Sequence, residues 1–359
     1  MPRPIGEDEL EPLALGAWIL GTGGGGSPYH HLLNLRQAYR AGKRVELVQA
    51  HELADDDLVA VASNMGAPLV GQERLKDPQT AARAVRMMEE YSDIRFSALM
   101  SIEIGGGNAL QPLVVATELG LPVVDADAMG RAFPELQMTS FAIGELTMYP
   151  LALCDVRGHE VIITKASTPH WAERIGRKVC VEMGSIASTC KAPRTGREVR
   201  DWAIHGTVSK AIRIGKAVLD ARRRFADPVA AVIEEDDGKL LLRGKVVDVD
   251  RRTTGGFLRG KVVLDGLDGD LGRRMEIEFQ NEFVLATLDG EPVAMAPDLI
   301  CVLETETGDA IGTEMLRYGQ RISVIALPPS ALLTSPAALT RVGPRAFGYD
   351  LDFRSVFLP

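Results

Sequence analysis

Aromatic side chains are scarce, 5% of the 359 residues, and nowhere do they alternate with a run of Lys and Arg. Single-stranded nucleic acid is held by stacked aromatics over a cationic track, and the formal charge of -9 opposes phosphate as well. Nucleic acid is therefore not expected as a partner. The one basic cluster, RRRF from Arg222 to Phe225, reads as positive charge closing a helix. Cysteine is also rare: Cys154, Cys180, Cys190 and Cys301 form no C-x-x-C and no zinc-finger rhythm, as expected of isolated buried thiols. Long apolar runs are missing too. Glu118 and Asp125 cut LVVATELGLPVVDAD, and the acidic start MPRPIGEDELEP lacks a signal-peptide core, so the sequence predicts a cytoplasmic protein without membrane contact. Six histidines include no H-x-x-x-H or H-E-x-x-H pair, and whether a divalent metal such as zinc takes part stays open.

What is present is an ordinary globular balance, 46% hydrophobic and 25% charged, in a chain long enough for two domains. Residues 1–168 alternate helical periodicity with short β-branched runs, which predicts an α/β N-terminal domain with a mostly parallel sheet. Its buried strands are LVAVAS (Leu58 to Ser63), FSALMSIEI (Phe96 to Ile104) and LPVVDAD (Leu121 to Asp127), separated by the helical PQTAARAVRMMEEY and NALQPLVVATELG. LALCDV and EVIITKA face each other across Arg157 to His159 as a hairpin. Residues 169–359 predict a helical connecting segment, including HWAERIGRKVCVEMGSIASTC and HGTVSKAIRIGKAVLDARRRF, followed by a β-rich C-terminal domain. RGKVV recurs at Arg243 to Val247 and Arg259 to Val263, which suggests paired strands.

The stretch GTGGGGSPYHH, Gly21 to His31, formally contains G-x-G-x-x-G at Gly21, Gly23 and Gly26. With GAWIL as a strand, RVELV as the next and Glu46 as the acid, it would be a dinucleotide cradle. LEPLALGAWILG, however, has helical spacing, and Ser27-Pro28 is a helix start with Ser27 as N-cap and Pro28 at the first turn. The loop is then a bend between helices or a nest for an anion or polar substrate, built by Gly23, Gly24, Gly25, Gly26 and Ser27. No nicotinamide or flavin is expected.

Three strands end in polar or glycine-rich turns: SNMGAP with Asn64, GGGN with Gly106 and Asn108 just past Glu103, and DADAMGR with Asp125 and Asp127. Ligands bind outside the carboxyl ends of strands in open α/β sheets, so these turns should converge on one rim. Asp125, Asp127 and Glu103 would supply a metal site or a general base there, with Asp127 equally suited to capping the following segment. His30 and His205 are further candidates for a base or ligand, whereas His51, His159 and His170 look like surface or turn residues. In the second half Asn281 and Glu282 read as turn residues and Asp298 as a strand-start cap.

Taken together, LGTGGGGSPY, NMGAP, EIGGGNAL, VVDADAMGRAFPE, HGTVSKAIRIG, GKVVDVDRRTTGGFLRG, FQNEF, APDLI, RYGQRISV and VGPRAFGYDLDF resemble the S-methyl thiohydantoin desulfurase-like family, associated with hydantoinase/oxoprolinase proteins, nearly end to end. The resemblance implies an α/β domain, a β-rich domain and hydrolysis of a five-membered cyclic ureide: an S-methyl thiohydantoin would yield a hydantoin and a thiol. The residue set expected to act is Asp125, Asp127, Glu103 and His30 for catalysis, with Gly23 to Ser27, Asn64, Gly106 and Asn108 binding the ring. A homo-oligomer is expected. The same loops would also serve a non-catalytic ligand-binding partner of a hydantoinase-type enzyme.

Overall fold

The computed structural model describes residues 2–66, 70 and 77–357. Ala67 and Pro68 of the SNMGAP turn therefore lie outside the described residues. LEPLALGAWIL is helical, within Glu7–Leu20, where Glu7, Asp8 and Glu9 complement the positive end of the helix dipole. The helix Tyr29–Arg40 follows, so GTGGGG joins two helices and lacks the preceding strand that a dinucleotide cradle needs. The helix start is shifted by one residue from the expected cap: Pro28 is in the capping position, and Ser27 Oγ accepts the Tyr29 N–H at 3.3 Å.

Among the described residues the first sheet has nine strands and is mixed. Glu46–Val48, Val123–Val124, Ala98–Ser101 and Leu58–Gly66 run parallel as neighbours in that order. Leu58–Gly66 then pairs antiparallel with Ile186–Cys190, which is followed by the predicted hairpin Leu151–Cys154 and Glu160–Ile163. The mostly parallel expectation is thus corrected: Ile186–Cys190, the hairpin and the short strands Arg3–Pro4 and Arg194–Thr195 all pair antiparallel. SIASTC is a strand, where its small residues had suggested helix. The helix Pro169–Glu182 ends, Gly184 and Ser185 turn with φ of 85° and 64°, and β-branched Ile186 and Thr189 return the chain in extended form. Alternation along Leu58–Gly66 puts Val59 and Val61 in the core on one face and Ala60 and Ala62 in the core on the other.

The second sheet has, among the described residues, seven strands, all antiparallel: Glu291–Met295, Glu282–Leu288, Arg274–Gln280, Phe257–Gly266, Lys239–Thr254, Arg321–Leu327 and Leu299–Glu304 in spatial order. The two RGKVV echoes lie on the adjacent strands Lys239–Thr254 and Phe257–Gly266, as expected. Close contacts seal the halves together. The helix Glu7–Leu20 packs so closely on Thr207–Arg223 that a Cβ on Gly16 would lie 1.8 Å from the Ala211 carbonyl oxygen, and one on Gly215 would lie 1.9 Å from that of Pro12. Deeper in, the fully buried Arg131 donates to Thr22 Oγ1 (2.8 Å), Phe283 O (3.0 Å) and Asp298 O (2.7 Å), spanning both halves.

Candidate active site

A cavity of about 400 Å³ opens where the two halves meet. Leu58–Gly66 delivers Ser63 and Asn64 at its carboxyl end, and Ala98–Ser101 delivers Glu103 two residues beyond its last residue. Ile186–Cys190 brings Lys191, and the second sheet contributes Glu282. Gly25, Gly26 and Ser27 line the cavity as well.

Glu103 is held at both of its carboxyl oxygens. Its Oε1 accepts from Asn108 Nδ2 at 2.6 Å and its Oε2 from the Phe133 N–H at 3.1 Å. Ser101 Oγ pins the turn beneath it by donating to the Glu103 carbonyl at 2.5 Å and to that of Asn108 at 2.9 Å. Asn108 in turn accepts the Asn64 N–H at 2.8 Å, so the two strand ends are tied through one amide. Burial pushes the Glu103 carboxyl up to about 7, against the pull of these donors and of Lys191. Burial acts oppositely on Lys191, lowering its amine to about 8. Lys191 Nζ touches Ser63 Oγ and Thr189 Oγ1, and no carboxylate among the described residues stands within ion-pair distance of it. The cavity therefore holds a carboxyl and an amine that both titrate near neutrality, which is the property required of acid and base catalysts.

The two glycine-rich loops are mutually required. The Gly107 N–H donates to Gly25 O (3.1 Å) and Gly26 O (2.8 Å), and a Cβ on Gly25 would lie 2.3 Å from Gly105 O. Gly106, at φ +62°, offers the reciprocal case, since its Cβ would lie 2.5 Å from Gly26 O. Close backbone approach accounts for glycine at these positions. Gly23 and Gly24 are covered by the side chains of Phe283 and Glu282, so neither lines the cavity, and Gly106 is likewise outside its lining.

The structure brings together Glu103, Asn64, Asn108, Gly25, Gly26, Ser27 and the half-buried His30 around one cavity, and leaves Asp125 and Asp127 out of it. Asp125 points to the helix Thr207–Arg223, where it accepts the Ser209 N–H (3.0 Å) and Ser209 Oγ (2.5 Å), and it also accepts from Gln49 Nε2 (3.1 Å) beyond the strand Glu46–Val48. It caps that helix in place of Gly206, which has no side chain to do so. Asp127 Oδ2 accepts three backbone N–H groups, from Ile104 (2.9 Å), Met129 (3.0 Å) and Gly130 (2.7 Å). Two residues apart with an extended Ala126 between, they serve different neighbours. His205 is exposed with Nε2 3.2 Å from Val199 O, and His51, His159 and His170 are exposed as expected.

Ser63, Lys191 and Glu282 are residues of the cavity that the motifs did not single out as catalytic. Asn281 is a turn residue, at φ +60°, but Glu282 begins the strand Glu282–Leu288 and is buried beside Arg131 and Gly24. Burial and the neighbouring Glu103 keep Glu282 well above the usual carboxylate range. Asp298 precedes Leu299–Glu304 and accepts from Ser355 Oγ and the Val356 N–H, both at 2.8 Å, tying down the C-terminal segment. Among the described residues no group of three His, Cys, Asp or Glu is arranged to hold a metal ion, and no helix is long and apolar enough to cross a membrane.

Family models for the S-Me-THD-like N-terminal domain match residues 8–165, and those for the S-Me-THD-like C-terminal domain match residues 167–356. The chain belongs to the S-Me-THD-like family. A solved structure of a protein from Chromobacterium violaceum, a structural-genomics target, aligns over 99% of this chain and 100% of its own with 25% identity and a TM-score of 0.83. No curated protein matches the chain. Membership of the S-Me-THD-like family thus extends over both halves, including every residue of the cavity described above.

Proposed function

We propose that the chain is a hydrolase that replaces the methylthio group of a small S-methyl thiohydantoin by oxygen, giving a hydantoin and methanethiol. The observation that carries this reading is the pairing, inside one small cavity, of Glu103 near 7 with Lys191 near 8. Substitution at ring carbon C2 needs an oxygen nucleophile that loses a proton and a nitrogen or sulfur that gains one. Lys191, as the free amine, takes the proton of the incoming oxygen. Glu103, as the acid, donates to the ring nitrogen that becomes electron-rich when C2 turns tetrahedral. The Gly25, Gly26 and Ser27 wall offers backbone polar groups to the ring oxygen, and Asn108 holds Glu103 in place. The substrate is nearly neutral, which agrees with a binding site inside an acidic chain.

The test is methanethiol release from S-methyl thiohydantoins by the purified protein, followed with a thiol-reactive dye. The expected profile of kcat/KM against pH is bell-shaped with apparent limbs near 7 and 8, belonging to the pair rather than to either residue. Activity is expected to survive EDTA, because in this assignment one side chain takes the first proton and another gives the second. Absence of thiol from every S-methyl thiohydantoin tried, alongside tight binding of the same rings, would favour a binding protein.

A further inference from the structure

We propose that Ser63 is the nucleophile that first attacks the ring carbon, activated by the Lys191 amine it touches, so that the reaction passes through a covalent serine adduct. This rests on the desulfurising reading above and deepens it. Ser63 and Lys191 come from adjacent antiparallel strands, line the same cavity, and are 1% and 3% exposed. A lysine buried to this degree ordinarily has a carboxylate partner. Lys191 has two hydroxyls instead, Ser63 Oγ and Thr189 Oγ1. The charged and titratable groups around it are Glu103 beyond the neighbouring strand, Glu173 and Arg177 on the helix Pro169–Glu182, and the Cys190 thiol on its own strand. Of these, Glu173 and Arg177 are engaged with each other at 2.6 Å, which leaves Lys191 to the hydroxyls. Thr189 is itself held by donating to the Ser63 carbonyl at 2.9 Å, so nucleophile, base and orienting hydroxyl share one rigid ladder. A serine, a neutral lysine and a third group that orients the base form a known solution to activating an alcohol on unrelated folds.

The steps balance without any further reactant than water. Ser63 Oγ bonds to C2 while its proton passes to Lys191 Nζ; the C2–S bond then breaks, and the thiolate leaves with that proton as methanethiol. Ser63 now carries the ring as an O-alkyl isourea. Water adds to the same carbon, giving its proton to Lys191, and the C2–Oγ bond breaks. Oγ recovers the proton, and hydantoin is released.

Two measurements test this. The first is labelling of the wild-type protein with phenylmethanesulfonyl fluoride, mapped by peptide mass spectrometry. Ser63 is expected to be modified, at a rate that rises with pH through about 8 as Lys191 loses its proton, and to be spared in Lys191→Met. The second is turnover: Ser63→Ala is expected to lose on the order of 10³-fold or more in thiol release, and acid-quenched wild type to show a mass equal to protein plus substrate minus methanethiol. Should Ser63→Ala not fold, the wild-type label decides alone. Thiol release with Ser63 unlabelled and Ser63→Ala within tenfold of wild type overturns the nucleophile and leaves the substrate reading standing. A labelled Ser63 with no turnover of any S-methyl thiohydantoin does the reverse.

Discussion

Glu103 and Asp127 are two carboxyls that a titration alone would not tell apart. Both are buried, both lie at strand ends in the first half of the chain, and burial pushes each up to about 7. Their surroundings separate them. Asp127 gives one oxygen to three backbone N–H groups around its own turn and does not line the cavity. Glu103 takes one donor on each oxygen and faces open volume. The buried cations divide in the same way: Arg131 is surrounded by carbonyl and hydroxyl acceptors from both halves, whereas Lys191 meets two hydroxyls beside the cavity. A perturbed group enclosed by the fold is architecture; one that faces open volume is available for chemistry.

The comparison breaks most sharply on Glu103→Gln. The amide has the shape of the protonated acid but cannot transfer its proton, so turnover is expected to fall by about 10²- to 10⁴-fold. Stability should respond in a defined pH window. Folding raises the Glu103 pKa from 4.5 to about 7, so its contribution is complete below 4.5 and is lost as pH climbs to 7. That loss is on the order of 3 kcal/mol, and denaturant titrations of wild type and variant at pH 5 and pH 8 measure it as a difference in slope. A Gln variant that keeps its turnover would remove Glu103 from the chemistry.

Asp127→Asn should show the opposite balance. The amide oxygen can still accept some of the three N–H groups, but without charge and with an NH₂ that needs its own partner, at a cost of about 1–3 kcal/mol. Turnover per folded molecule is expected to remain within a few-fold of wild type. A variant that melts like wild type yet is inactive would exchange the roles of the two carboxyls.

Much of this arrangement was legible in the sequence. Helical spacing in LEPLALGAWIL told against the dinucleotide fingerprint, and strand ends carrying Asn64, Glu103 and Asn108 do converge on one cavity. Asp125 and Asp127 do not join them, because spacing along a chain does not say which neighbour claims a side chain. Asp125 is claimed by Ser209, more than 80 residues away in the chain. Lys191 was out of reach for a different reason: the small residues of SIASTC suited helix packing as well as a strand, and without that strand nothing placed Lys191 beside Ser63. Pairing between distant strands is a tertiary fact that local pattern does not carry.

The smallest expected effect separates two adjacent glycines of the loop between the first two helices. Gly25 and Gly26 have nearly the same positive φ, +71° and +73°, so alanine at either costs about 1 kcal/mol for the positive φ alone. At Gly25 the added methyl would also lie 2.3 Å from the Gly105 carbonyl oxygen, in backbone that cannot swing aside, and the interlocked loops must part. At Gly26 it meets nothing within 4 Å, although the residue lines the cavity. Gly25→Ala is therefore expected to lower the melting temperature clearly more than Gly26→Ala, whereas Gly26→Ala should register chiefly in KM, because its methyl takes up space next to the ring. Equal melting temperatures for the two variants would show that the loops yield at no cost, and the close-packing account of the glycine stretch would fall.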